Sequence, residues 1–357
     1  MVKMGKKREY VSLISLRGIF ILIIIFYHLG GNFGTILNKE LEWCYEWGGH
    51  LGNTFFFMVS GFLITHGYSA RISNGEISFV DYMIRRSVKI FPLYFLTNVF
   101  RLGLNIAIVG IHTLKFDELL RVLFMAASGW VTNITPYNDP TWFVCVLMIC
   151  YIVYYFVGMI KGKNKDIYYG LVFLIVMYGR SISVLGMQIP FMRSGDGQGL
   201  YCFFLGVVLY EIITSSYKNL NRVLLYMSNF LSFLFLILAY NNGVSTMTND
   251  VPMVISFLLI PTIIFNAVLN KSLVRIVSVK PMVLLGKISM SLYFIHGPWI
   301  ALYHMIQKVC ILGECNLYVQ YSIIVGVLLV ISLVSYFYIE PVFEKWTRFI
   351  FKRNIDN

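Results

Sequence analysis

Charge is what this chain has least of. Only 13% of its 357 residues are Asp, Glu, Lys or Arg, against 58% hydrophobic, a balance too apolar for a soluble domain of this size. Acidic residues are the scarcer kind, 17 against 29 basic ones, for a net charge of +12. The sustained ten-residue alternation of an outer-membrane barrel is missing too, and uninterrupted runs such as FILIIIF suit helices instead. No internal repeat or low-complexity tract breaks the chain. A basic stretch precedes the first apolar run, as in a signal peptide, but no small-residue cleavage site follows, so that run is expected to be retained as a first helix. The six cysteines form no metal-ligand pattern, and no metal site is expected. Cys145, Cys150 and Cys202 fall in apolar runs, whereas Cys310 and Cys315 share a loop where a local disulfide is an open reading.

Apolar windows of about twenty residues, the length an α-helix needs to cross the hydrocarbon core, fill the rest. Ten are read: 11–29, 50–70, 88–110, 141–160, 167–186, 199–216, 223–241, 251–269, 281–305 and 318–339. The expected fold is therefore all-α and polytopic, with about ten transmembrane helices in one domain over 1–357 and no appended soluble domain. Loops after even-numbered spans are basic, with Arg71, Arg85, Arg86 and Lys89, then Lys161, Lys163 and Lys165, then Lys218 and Arg222, then Lys271, Arg275 and Lys280. The termini match them through Lys3, Lys6, Lys7, Arg8, Lys345, Arg348, Lys352 and Arg353. Opposite loops carry Glu40, Glu42, Glu46, Asp117, Glu118, Asp139, Asp196, Asp250 and Glu314. Lys/Arg bias sets orientation, so both termini are expected on the cytoplasmic side. Topology accounts for the excess charge without nucleic-acid binding.

The most informative pair is Arg17 and His28, eleven residues apart in one apolar run. At about 100° and 1.5 Å per residue that is close to three turns and about 16 Å of rise, so one helix presents a cation and an imidazole on one face. Ionisable groups at membrane depth cost about 2.5–3.5 kcal/mol or more and face a protein interior or a watery cavity. In the second run Asn53 and Ser60 share a face, and Gly61 suits close helix contact. Arg85, Arg86 and Lys89 cluster just below the third run, as a topology signal or as an anion site whose guanidinium groups suit phosphate. In the ninth, GKISMSLYFIHGPW, residues Ser289, Tyr293 and His296 make a polar stripe. The segment 111–140 contains KFDELLRVLFMAA, read as an interfacial helix, and ends in TPYNDPTW. Glu340 and Pro341 are expected to end the tenth helix.

In order, SLRGIFILIIIFYH, FFFMVSGFLI, RRSVKIFPLYF, TWFVCVLMICYIVYY, GKISMSLYFIHGP and IEP resemble acyltransferase family 3 over nearly the whole chain. The family's arginine, ten intervening residues and histidine fall on Arg17 and His28. Its two arginines separated by two residues correspond to Arg86 and Lys89, and the lysine keeps the charge but loses the planar fork. Many members carry an acidic residue five positions after the tryptophan of the fourth span; here Leu147 follows Trp142, so no catalytic carboxylate is assigned in that helix.

The resemblance implies a plasma-membrane enzyme that moves an acyl group, usually acetyl, from cytoplasmic acyl-CoA to a hydroxyl of an extracytoplasmic polysaccharide or glycan precursor. Acetyl-CoA is then a donor substrate, and no permanently bound cofactor is expected. Without an appended domain, transfer is finished by the membrane domain alone or with a separate protein. His28 is the expected general base, since an imidazole titrates near neutral pH, with a transient acyl-imidazole as the variant. Arg17 either orients the donor or stabilises the developing charge on the thioester oxygen. Arg85, Arg86 and Lys89 are the expected acyl-CoA-binding residues, and Ser60, Trp142, Ser289, Tyr293 and His296 the expected lining of the cavity or acceptor path. Arg101 and Arg180 either join that cavity or pair elsewhere, for instance with Glu211. The competing class is a transporter of an acylated or glycan-linked solute.

Overall fold

The computed structural model of the chain describes residues 10–33, 42–128, 135–185, 192–215, 218–242, 251–307 and 316–350, and no strand occurs among them. Three long helices come first: α1 (Val11–Phe33), α2 (Glu42–Ser73) and α3 (Phe79–Val109). The side chain of Ser78 accepts the Asp81 N–H at 3.1 Å and caps α3. Arg85, Arg86 and Lys89 therefore stand on the early turns of a helix rather than in a loop beneath it. At its other end Gly110 adopts φ 115°, a conformation glycine reaches without steric cost. The amphipathic segment beyond is helical only over α4 (Phe116–Leu123), whose Phe116 and Leu120 are exposed while Val122 is buried.

The remaining elements are α5 (Trp142–Lys161), α6 (Lys165–Leu185), α7 (Ser194–Thr214), α8 (Lys218–Asn242), α9 (Val251–Val254), α10 (Ile260–Leu269), α11 (Lys271–Val277), α12 (Lys280–Lys287), α13 (Ser289–Gln307), α14 (Leu317–Val334) and α15 (Glu340–Ile350). Two of the junctions are π turns, Ile255–Leu259 between α9 and α10 and Ser335–Ile339 between α14 and α15. The second corrects the expected helix end at Glu340 and Pro341. The helix changes register at the π turn and continues, and Pro341 sits in the first turn of α15, where a missing N–H costs little.

Among the described residues seven stretches are long and apolar enough to cross a membrane: Val11–Gly30, Phe79–Val109, Asp139–Lys161, Lys165–Leu185, Ser194–Thr214, Val251–Leu269 and Tyr318–Lys345. The other three of the ten expected spans fall on α2, α8 and the pair α12 and α13. The first two are long helices diluted by polar residues, and the window 281–305 is split at Ile288, which caps α12 before α13 starts at Ser289. The protein is thus a multi-pass helical membrane protein. Lys3, Lys6, Lys7, Arg8, Glu40, Asp250, Cys310, Glu314, Cys315, Lys352 and Arg353 lie outside the described residues. Cys145, Cys150 and Cys202 are buried free thiols.

Glycines bring the helices together. A Cβ on Gly61 would lie 1.9 Å from the Phe203 carbonyl oxygen, and one on Gly206 equally close to that of Met58, so α2 and α7 touch backbone to backbone. A Cβ on Gly286 would lie 1.8 Å from the carbonyl oxygen of Ile14, which seats α12 directly on α1. Helix α1 packs against α2, α10, α11, α12 and α13, and its Arg17 and His28 are consequently held inside protein. Overpacking of this kind costs roughly 1–3 kcal/mol and at times more. Gly206→Val should therefore lower the thermal unfolding midpoint of the purified protein clearly. Gly67→Ala, whose new methyl meets nothing within 4 Å, should leave the midpoint within error.

Candidate functional site

Arg17 opens onto a cavity of about 250 Å³ between α1, α2, α3, α5 and α13. Its polar wall is Arg17, Asn53, Ser60, Arg85, Arg86, Lys89, Tyr151, Ser289 and Tyr293, and its apolar wall includes Phe56, Leu63, Phe143 and Leu147. Four cations line it, and no carboxylate is among the lining residues. Arg86 is held in place by Tyr68, donating to its hydroxyl while its guanidinium carbon lies 4.5 Å from the ring centre. Glu340 acts electrostatically on Arg17 and accepts a hydrogen bond from Ser291. Lys89, exposed at the cavity's edge, also lines a second cavity of about 170 Å³ with Pro92, Met290, Glu340 and Glu344. The buried hydroxyl of Ser289 has no hydrogen-bond partner among the described residues. It is a preformed donor or acceptor at the cavity wall.

His28 lies beyond this cavity, three turns along α1. Its Nδ1 is 2.9 Å from the carbonyl oxygen of Ile24, and its ring centre is 4.9 Å from that of His296. The stripe on α13 runs beside the pair on α1 in the same direction. Ser289 and Tyr293 share the cavity with Arg17, and His296 meets His28. Tyr293 joins the two levels, since it lines the cavity and its ring lies 5.9 Å from His296.

Of the expected lining residues, Ser60, Ser289 and Tyr293 reach the cavity. Trp142 and His296 do not line it. Trp142 turns toward α7, where a Cβ on Gly195 would sit 3.0 Å from its ring, and toward Phe57. His296 is fully buried against His28. Glu211 pairs with Lys161 rather than with either candidate arginine. Arg180 lies over the Tyr201 ring at 5.8 Å, and Arg101 is within electrostatic range of Asp139.

Two polar clusters escaped sequence reasoning. In the first, Asn138 Nδ2 donates to the Phe294 carbonyl at 2.9 Å and to Thr97 Oγ1 at 3.2 Å, while Asn98 Oδ1 accepts the Asn138 N–H at 3.0 Å. Tyr293 donates to the Pro140 carbonyl. Together these contacts clamp the segment before α5 onto α13 and hold Tyr293 in place. The turn-rich TPYNDPTW was the signal for it. The second cluster is His50, Gln198, Thr54, Ser256 and Tyr201, with Gln198 Nε2 3.1 Å from both His50 Nδ1 and Thr54 Oγ1. Residues this far apart in sequence left no motif.

Such a site, a cation-lined cavity in a helical membrane protein with an imidazole pair beyond it, is built to receive an anionic ligand and to move a proton nearby. Residues 10–344 match the family model described as an acyltransferase domain, family 3, and the chain belongs to that family. Among curated relatives, a protein of Staphylococcus aureus strain COL named "Putative O-acetyltransferase" is 27% identical over 382 residues, covering 95% of this chain and 58% of its own length. One of the same name from strain MSSA476 is 27% identical over 384 residues, with 96% and 58% covered. The chain thus spans somewhat over half the length of the curated relatives it matches. No solved structure matches it.

The sign of the cavity is testable apart from any activity. With the other cysteines replaced, a thiol at Ser60→Cys should react at least about tenfold faster with an anionic than with a cationic methanethiosulfonate, because a cleft of one sign concentrates counter-ions. Equal rates would show that the four cations are neutralised.

Proposed function

We propose that this protein is an O-acyltransferase of the plasma membrane, moving an acyl group, acetyl by our reading, from cytoplasmic acyl-CoA to a hydroxyl of an extracytoplasmic glycan. The observation that carries this reading is the placement of four cations and a polar stripe of α13 on one cavity, with the stripe leading to His28. The positive-inside bias puts the Arg85 end toward the cytoplasm, with both termini on that side. There Arg85, Arg86 and Lys89 meet the phosphates of the donor, and the nucleotide stays outside the membrane. The thin pantetheine arm enters past Ser60 and Ser289, and the apolar wall of Phe56, Phe143 and Leu147 excludes water from the thioester.

The chemistry follows from the groups along the path. The acceptor oxygen attacks the thioester carbon and its proton passes to His28; the carbon–sulfur bond then breaks, and the thiolate recovers the proton as CoA leaves. Arg17, on the wall of the same cavity three turns from His28, orients the donor. A polysaccharide or lipid-linked glycan supplies the hydroxyl. A transporter, by contrast, would leave the thioester intact.

Inverted membrane vesicles carrying the protein, given labelled acetyl-CoA, should build up alkali-labile acetyl on envelope glycans and release free CoA. In that assay His28→Ala should lower turnover about 10²–10⁴-fold, the usual worth of general-base assistance, with donor affinity kept. Arg85→Gln with Arg86→Gln should do the reverse, raising the apparent KM for acetyl-CoA while turnover at saturation survives. Intact acetyl-CoA with the wild-type protein would end the proposal.

A further inference from the structure

Asn53 lines the cavity from α2 and is half-buried there. Its carboxamide makes no hydrogen bond to another described residue. Its depth follows from its neighbours, since a Cβ on Gly52 would strike the Ile24 side chain and Phe55 stacks on Phe20 with ring centres 3.8 Å apart. The carbonyl oxygen of that same Ile24 faces His28 Nδ1 at 2.9 Å. Asn53 therefore stands between the level of Arg17 and that of His28. Other polar groups of the lining stop short of it. Ser60 is seven residues on along α2, about 10 Å nearer the end where Arg86 meets Tyr68. Ser289 begins α13 beside Arg17, and Tyr151 is within electrostatic range of that arginine. Tyr293 reaches the same level as Asn53, but its hydroxyl proton goes to the Pro140 carbonyl. At the end of the cavity nearer His28, Asn53 is the lining residue that still has N–H groups to donate.

We propose that Asn53 is a catalytic residue whose Nδ2–H donates to the carbonyl oxygen of the thioester. This deepens the function proposed above and rests on it. With the phosphates of the donor held by Arg85, Arg86 and Lys89, the pantetheine arm carries the thioester to the far end of the cavity, where Asn53 forms the wall with Phe56 and Phe143. As the acceptor oxygen bonds to the carbonyl carbon, the second electron pair of the C=O bond moves onto oxygen, and Asn53 holds that negative charge. The acceptor's proton goes to His28. The pair then returns to carbon, the carbon–sulfur bond breaks with its electrons on sulfur, and the proton passes from His28 to the thiolate. Asn53 keeps its own protons throughout. A neutral carboxamide suits this depth, because a permanent charge there is costly and the charge it meets exists only while the bonds change. The rings of Phe56 and Phe143, 6.4 Å apart, keep water from competing for the oxygen. In such surroundings one fixed donor counts for far more than it would in water.

Kinetics and a carbonyl band test the proposal together. Asn53→Leu keeps the size of the side chain and removes the donor. In the vesicle assay its kcat should fall about 10²–10³-fold, the usual loss when one such donor is removed, with the KM for acetyl-CoA unchanged. The second readout uses the purified protein without glycan, given acetyl-CoA isotope-labelled at the acetyl carbonyl. Bound to the wild type, the infrared band of that carbonyl should lie at lower frequency than in solution, and in Asn53→Leu the shift should vanish. A packing role would leave the band where it is. Wild-type kcat in Asn53→Leu, a loss carried by KM alone, or the same band position in both proteins overturns the proposal. If the Leu variant does not fold, Asn53→Ala, which only removes atoms from the cavity wall, is read by the same two measurements. A wild-type protein that shows no bound thioester band at all would instead end the donor reading beneath the proposal, so the two failures are told apart.

Discussion

Everything at the site depends on how closely α1 can be approached. Apolar side chains gain little by leaving lipid for protein, so helices in a membrane associate through close packing and interhelical polar contacts. Gly286 supplies the first, lying where any side chain would strike the carbonyl oxygen of Ile14. With α12 seated there, α13 begins at Ser289 beside Arg17 and runs along α1 until His296 reaches His28. Charge and imidazole are thereby enclosed by protein, as ionisable groups at membrane depth require.

The cavity is made of two unlike halves, and each explains the other. Arg85, Arg86, Lys89 and Arg17 give one half its positive character, and Glu340 acts on Arg17 from the side. The opposite wall, with Phe56, Phe143 and Leu147, is suited to a neutral, narrow group. The proposed donor, with a phosphorylated head and a thin uncharged arm, has a counterpart for each half.

Buried polar networks then fix what glycine packing leaves loose. Asn98, Asn138, Thr97 and Thr141 bond to one another and reach across to α13, leaving Asn138 Oδ1 without a partner among the described residues. Hydrogen bonds of this kind in a low-dielectric interior favour one arrangement, since a slip strands further polar groups. The cluster of His50, Gln198 and Ser256 joins α2 and α7 to the π turn at Ile255–Leu259 in the same manner. Lys161, bonded to Ser69 and Glu211, ties α5 to both.

By itself the sequence determined the class of fold, because apolar runs of spanning length admit only helices whose backbone groups bond internally. The three-turn spacing of Arg17 and His28 and the stripe from Ser289 to His296 were also legible, since helical periodicity is a local property of each run. Continuity was less so: the break at Ile288 and the π turn at Ser335–Ile339 depend on neighbouring helices, and both were misjudged. Tertiary structure alone decided which polar residues meet. Local spacing says which face a side chain shares but not what stands opposite it, so Trp142 turned toward α7, Glu211 went to Lys161, and His296 left the cavity wall for His28. That last contact joins residues 268 positions apart in the chain, and only the packing of α13 along α1 could bring them together.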